Sequence, residues 1–212
     1  GSRRHLKTYK RRKGPQYNVK APRSLYHADG HEKLAHRWGF WIHGCVDGYA
    51  RFSVYLQART NKKQRIVRDI YVTGCEKNGW PSRCRWDKGT ENCGAIREQI
   101  NRHLDPLRPE TGRRGSAITG RSIDNTRIEG FWRYVREQVS DPFGDCFNYM
   151  RTELKILHPD DPCDLFMLHE VFLPILQTAL DDMRDMWNEH PIRRRSGVPG
   201  HFGGIPSQLF RE

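Results

Sequence analysis

Apolar residues along this chain first recur in short runs that are typical of β-strands. The pattern predicts five strands, at 25–29, 38–46, 52–58, 82–86 and 116–119. Asp47 and Gly48 separate the second run from the third, and an Asp-Gly pair in that position indicates a hairpin. The second and third strands should therefore pair antiparallel.

Elsewhere the apolar residues recur every three or four positions, as they do on one face of a helix. This spacing predicts helices at 61–77, 92–104 and 125–139 and a helical stretch at 146–190. The clearest stripe belongs to the third helix and consists of Ile128, Phe131, Trp132, Val135 and Val139. Asp124 or Asn125 can cap its start, and Asp141-Pro142 should end it. Pro174 should kink the final helical stretch.

The order of the predicted elements is typical of one fold class. Three strands are followed by alternating helices and strands, which suits an α/β fold with a mixed five-stranded sheet flanked by helices. We divide the chain into a basic arm at 1–23, a core at 24–145, a helical extension at 146–190 and a basic Gly/Pro-rich tail at 191–212. Gly1-Ser2 resembles a tag remnant, and residues 105–114 form a loop rich in Arg and Pro.

The net charge of the chain indicates what kind of partner it binds. Among 212 residues, 37 are Lys or Arg and 25 are Asp or Glu, which gives a net charge of +12. Such a surplus favours a polyanion, with nucleic acid as the leading candidate. No apolar run approaches the roughly 20 residues of a spanning helix, so we expect no membrane partner. The six cysteines form no Cys-x-x-Cys pair, and we interpret them as free thiols in a reducing compartment.

Three acidic residues lie at the edges of predicted elements. Asp29 ends the first strand, Asp87 follows the fourth, and Glu129 lies one turn into the third helix. Neighbouring strands are about 4.8 Å apart, so these carboxylates can converge on paired Mg²⁺ or Mn²⁺ ions. Two such ions stabilise the attacking and the leaving oxygen of a displacement at phosphorus. The pattern alone also allows a second interpretation, with the aspartates as turn residues and Glu129 paired with Arg133.

Other polar and aromatic residues are weaker candidates for a functional role. His27, Asp29 and His31 alternate along the first strand and form a weak candidate for a zinc site. Asp47 is interpreted as a turn residue. Most tryptophans have apolar neighbours and belong to the core, and Trp86, beside Asp87, is the one expected to be exposed.

Several separate segments carry a resemblance to a known family. They are HADGHEKL at 27–34, WGF at 38–40, HGCVDGYAR at 43–51, GWPSR at 79–83, DKGTEN at 87–92, RIEGFWR at 127–133, WNEHP at 187–191 and PSQL at 206–209. Across these segments the chain resembles the catalytic core of the retroviral-type integrases and transposases, the ribonuclease H-like DDE polynucleotidyl transferases. It is most similar to the integrase-core proteins of eukaryotic genomes and mobile elements.

The resemblance implies a ribonuclease H-like fold and an enzyme that processes DNA 3′ ends and transfers them to another strand. It places Asp29, Asp87 and Glu129 as the carboxylates that hold two Mg²⁺ or Mn²⁺ ions. We assign DNA contact to six residues: His31, Lys88, Asn92, Arg121, Arg133 and Arg136. DNA is the implied partner of at least a homodimer in the nucleus, with no organic cofactor.

The chain also departs from the family pattern. The segment between Asp87 and Glu129 is longer than in retroviral integrases, and Gly30-His31 stands where a Thr is usual at the second of the two positions. No His-His-Cys-Cys zinc module precedes the core, so recognition of DNA ends would need another segment. Two alternatives stay open: a domesticated, catalytically silent DNA-binding protein, and a nuclease of the same fold.

Overall fold

A computed structural model of the chain describes residues 17, 19–104, 115–121, 125–193 and 203–211. In these residues the strands are β1 (Tyr26–His31), β2 (Trp41–Asp47), β3 (Ser53–Arg59), β4 (Cys84–Asp87) and β5 (Ala117–Gly120). The α-helices are α1 (Ala35–Trp38), α2 (Gln64–Asn78), α3 (Cys93–Arg102), α4 (Thr126–Val135), α5 (Asp141–Thr152), α6 (Pro162–Glu189) and α7 (Pro206–Arg211).

The five strands form one mixed sheet in the order β3-β2-β1-β4-β5. The first three strands pair antiparallel, and the β2–β3 pairing is the one that the Asp-Gly turn predicts. Strand β4 pairs parallel with β1, and β5 pairs parallel with β4. In the turn between β2 and β3, the Asp47 carboxylate accepts backbone N–H bonds from Arg23, Tyr49 and Ala50. The predicted mixed five-stranded α/β fold is confirmed.

Helices cover both faces of this sheet. Alternate residues of a strand face opposite sides, so Tyr26 and Ala28 of β1 enter one apolar cluster with α2, α3 and α7. The other face packs against α4, α5 and α6 through a second apolar cluster. His27, Asp29 and His31 point to this second side. The alternation of β1 therefore directs its acidic residue toward α4.

The third predicted helix is longer than expected. Rather than ending before Asp141-Pro142, α4 continues through a π-helical segment, Arg136–Ser140, directly into α5. Pro142 is tolerated because it lies in the first turn of α5, where its missing N–H has no required acceptor. The short helix α1, which ends at Gly39 with a φ of 68°, is not anticipated by the periodicity.

The helical extension is interrupted by a loop between α5 and α6. Helix α6 contains an 18-residue window of mean hydropathy 1.3, of which 17% is buried, so its length and composition would allow it to cross a membrane. The expectation that no apolar run approaches that length is therefore wrong. One such helix does not by itself indicate a membrane protein. Several of its large side chains are exposed, namely Phe166, Met167, Val171, Ile175 and Met186.

Several sequence predictions lie wholly or largely outside the described residues. These are most of the basic arm, the loop at 105–114, the capping role of Asp124 and much of the tail. All six cysteines are described and are unpaired, in agreement with free thiols.

Candidate active site

The two aspartates lie on neighbouring parallel strands. Asp29 is in β1 and Asp87 is the last residue of β4, and the β1–β4 register pairs His27 with Arg85. Continuing that register by two residues brings Asp29 level with Asp87. Adjacent strands are about 4.8 Å apart, so both carboxylates reach the same edge region of the sheet on the side covered by α4.

Helix α4 brings the third acid to the same place. Its buried stripe of Ile128, Phe131, Trp132 and Val135 packs on the sheet, and Glu129 lies beside that stripe at the open side. Asp29, Asp87 and Glu129 together line a cleft of about 640 Å³. The structure thus brings the three acids predicted from the sequence into one cleft.

The Asp29 carboxylate is half-buried and held by one strong donor. The indole N–H of Trp132 donates to Asp29 Oδ2 at 2.9 Å. Burial raises the pKa of Asp29 to about 7; the Trp132 hydrogen bond opposes this rise, and the charges of Asp87 and Glu129 add to it. Without bound metal ions, the three carboxylates in the cleft therefore repel one another.

Asp87 is oriented by the turn that follows its strand. Its Oδ1 accepts the side-chain amide of Asn92 at 2.7 Å and the backbone N–H of Gly89 at 3.2 Å. Asn92 is buried, with 6% of its surface exposed. Its amide is thus directed at Asp87, and Asn92 lines the cleft beside that carboxylate.

Glu129 is more exposed than the aspartates. Partial desolvation, followed by the charge of Asp87, raises the pKa of its carboxyl. Across the described part of the chain, no three His, Cys, Asp or Glu side chains stand close enough together to form a ready metal-binding group. Mg²⁺ needs only one or two carboxylates because it keeps several waters, so the donor set of this cleft still fits such ions.

Cationic side chains rim the cleft. They are Arg133 of α4, Arg136 at the start of the π-helical segment, and Lys62. The His31 ring also lines the cleft, and burial lowers its pKa to about 4. The Lys62 ammonium bonds the Glu32 carboxylate at 2.5 Å, and this bond raises the pKa of Lys62. Of the residues assigned to DNA, Lys88 and Arg121 are exposed but do not line the cleft.

Three sequence interpretations near the cleft change. Trp86 is buried at 1% exposure, because side chains alternate along β4 and its ring packs against Tyr71 on the face opposite Asp87. Asn125 makes no capping bond to α4. It bonds His27 Nδ1 at 2.6 Å instead, while Tyr17 bonds His27 Nε2 at 2.9 Å. Both nitrogens of His27 are thus engaged, which excludes this ring from the weak zinc candidate.

Sequence reasoning did not identify three contributors to the cleft: Trp132 as a donor to Asp29, Lys62, and Glu91. Trp132 carried a signal, since it follows Glu129 by three positions and therefore lies on the same side of the helix. Lys62 and Glu91 lie in connecting segments, where periodicity gives no direction to a side chain.

Comparison with known proteins identifies the family. The family model described as integrase core domain matches residues 16–210, so this chain belongs to the integrase core domain family. None of the curated proteins matches its sequence significantly.

Solved structures show the same fold. The HTLV-2 integrase catalytic core domain in complex with magnesium is 11% identical in its dimeric form, with a TM-score of 0.55 over 90% of this chain and 98% of its own. The trimeric form, also 11% identical, has a TM-score of 0.52 over 91% of this chain and 99% of its own. A chain of the simian T-cell lymphotropic virus intasome in complex with PP2A regulatory subunit B56 gamma gives 0.53 at 11% identity, over 93% of this chain and 59% of its own. The ribonuclease H-like integrase fold expected from the resemblance is confirmed.

Proposed function

We propose that this chain is a divalent-metal-dependent DNA polynucleotidyl transferase that processes 3′ ends and transfers them to a second strand. The observation that carries the proposal is the meeting of Asp29, Asp87 and Glu129 in one cleft of an integrase-core fold. Binding alone would not require three carboxylates that repel one another. This feature favours a catalytic protein over a silent DNA-binding one.

The three carboxylates would hold Mg²⁺ or Mn²⁺ ions. Support comes from the hard oxygen donors of the cleft and from the magnesium complex described for the HTLV-2 core. Two bound ions supply Lewis-acid stabilisation of the attacking and leaving oxygens. No organic cofactor is part of the proposal.

The protein's own side chains orient the site and attract the substrate. Trp132 and Asn92 direct the two aspartates, while Arg133 and Arg136 place positive charge beside Glu129 at the cleft rim. A DNA phosphate backbone entering the cleft would meet these cations. The scissile phosphodiester would then face the carboxylates. Either water or a DNA 3′-hydroxyl would lose its proton to solvent and attack the phosphorus, one bridging P–O bond would break, and the leaving strand oxygen would take up a proton to become a hydroxyl.

Substitution of one carboxylate tests the proposal. D87N should reduce Mn²⁺-dependent end processing and strand transfer on a labelled oligonucleotide by a factor on the order of 10³, because a neutral amide holds a divalent ion poorly. The matched control is D69N, which changes an exposed carboxylate on α2 that pairs only with surface arginines. Chelation with EDTA should abolish both reactions in the wild type.

The products of the same assay separate the alternatives. Joined strands indicate a transferase, and cut strands without joined ones indicate a nuclease of the same fold. A wild-type protein that binds DNA but neither cuts nor joins it indicates the silent binding protein. Full activity in D87N would contradict the assignment of the carboxylates.

We further propose that the protein acts on DNA as at least a homodimer and in the nucleus. The proposal is supported by the dimeric and trimeric forms described for the HTLV-2 core, by the basic arm at 3–13 and by the net charge of +12. Light scattering with and without DNA measures the assembly, and a monomer on DNA would contradict it. A fluorescent fusion tests the location.

A further inference from the structure

The indole of Trp132 occupies an unusual place for a core residue. It packs in the apolar cluster between the sheet and α4 with 6% of its surface exposed, yet its N–H reaches the cleft and donates to Asp29 Oδ2. An indole N–H is only a donor and is carried by a rigid ring. It can therefore fix the rotation of a carboxylate without competing for a cation.

Two contacts hold the ring. Gly44 of β2 pairs with Asp29 across the strands, and a Cβ at Gly44 would lie 2.6 Å from Trp132 Cη2. The His31 ring stacks on the indole with centroids 5.2 Å apart, and its Nε2 lies 3.1 Å from Ser140 Oγ. The direction of the indole N–H is thus set by two features. One is the space left by the missing side chain at Gly44, and the other is the stacked His31 ring, which bonds Ser140 of the π-helical segment.

The same turn of α4 supplies Glu129 and the donor to Asp29. Since Trp132 follows Glu129 by three residues, a movement of α4 would shift one acidic ligand and the orientation of another together. We propose that Trp132 is a positioning residue, which fixes the rotation of the Asp29 carboxylate so that Asp29 can hold a divalent ion. This inference rests on the proposed function.

Calorimetric titration with Mn²⁺ in the absence of DNA tests it. W132F removes the N–H and keeps an aromatic ring, and it should raise the Kd for Mn²⁺ about tenfold, within the range seen when residues that orient metal ligands are lost. W187F is the matched control because the indole N–H of Trp187 donates to the Arg51 backbone oxygen outside the cleft, and its Kd for Mn²⁺ should stay within about twofold of the wild type. A tryptophan analogue with sulfur in place of the N–H, inserted at position 132, preserves the ring shape and should reproduce W132F if that variant folds poorly.

A second measurement detects the hydrogen bond without metal. In the NMR spectrum of the metal-free protein, D29A should shift the indole N–H signal of Trp132 more than those of the other five tryptophans. An unshifted Trp132 signal, or an unchanged Mn²⁺ Kd in both the W132F and the sulfur-analogue proteins, would overturn the inference alone. A wild-type protein that binds no Mn²⁺ would overturn the proposed function and this inference with it.

Discussion

Three histidines on the two central strands are enclosed by the fold, and desolvation lowers the pKa of each to about 4: His27, His31 and His43. In the unfolded chain the same rings titrate near 6.5. Between pH 4 and pH 6.5 the unfolded chain binds more protons than the folded chain. The free energy of unfolding therefore falls as the pH falls from 6.5 toward 4. For a fully buried ring the loss amounts to about 3 kcal/mol at most.

His27 offers the cleanest test because it is only 1% exposed. The carboxyls of Asp29 and Asp47 have pKa values raised to about 7 and about 6 by burial, and they shift stability in the opposite direction over the same pH range. The contribution of the ring is therefore the difference between wild type and H27Q. In urea unfolding at several pH values, that difference should shrink below pH 6.5. A difference that stays constant from pH 7 to pH 4.5 would argue against this account.

At the scale of elements, the packing of α4 on the sheet depends on the lack of a side chain at Gly44. G44A should lower the free energy of unfolding by about 1–3 kcal/mol, because the added methyl group overlaps the Trp132 ring. G30A is the matched control in the same sheet, since a Cβ at Gly30 meets nothing within 4 Å. It should change stability by less than about 0.5 kcal/mol. Equal effects in urea unfolding would show that the ring moves freely.

Local patterns predicted most of the elements and the acids they carry. Short apolar runs and the Asp-Gly turn located β1 to β3, and the apolar stripe located α4 with Glu129 beside it. The contact between Trp132 and Asp29 joins residues 103 positions apart, and no local pattern specifies which side chains meet over such a separation. For the same reason, the sequence did not identify Lys62 as a residue of the cleft. Trp86 was misassigned because its sequence neighbour, Asp87, faces the opposite side of the strand.

At the scale of the whole molecule, the excess of Lys and Arg should dominate DNA affinity. The logarithm of the binding constant should fall linearly with the logarithm of salt concentration, with a slope of about 0.9 per phosphate neutralised. R133A should reduce the magnitude of that slope by about 1, because Arg133 rims the cleft. K77A should leave it unchanged, since Lys77 is exposed at the end of α2 and lines a different groove. Equal slopes for R133A and wild type in fluorescence anisotropy would exclude Arg133 from the DNA interface.

The π-helical segment at Arg136–Ser140 has a consequence for comparing this chain with its relatives. A π turn closes its hydrogen bond over one residue more than an α turn, so it acts as a one-residue insertion within an otherwise continuous helix. A relative with an unbroken α-helix here would reach its equivalent of Pro142 one position sooner after Glu129. Where a relative lacks the π turn, its alignment with this chain needs a single-residue gap inside this helix, and an ungapped alignment would assign Ser140 and all of α5 to the wrong counterparts.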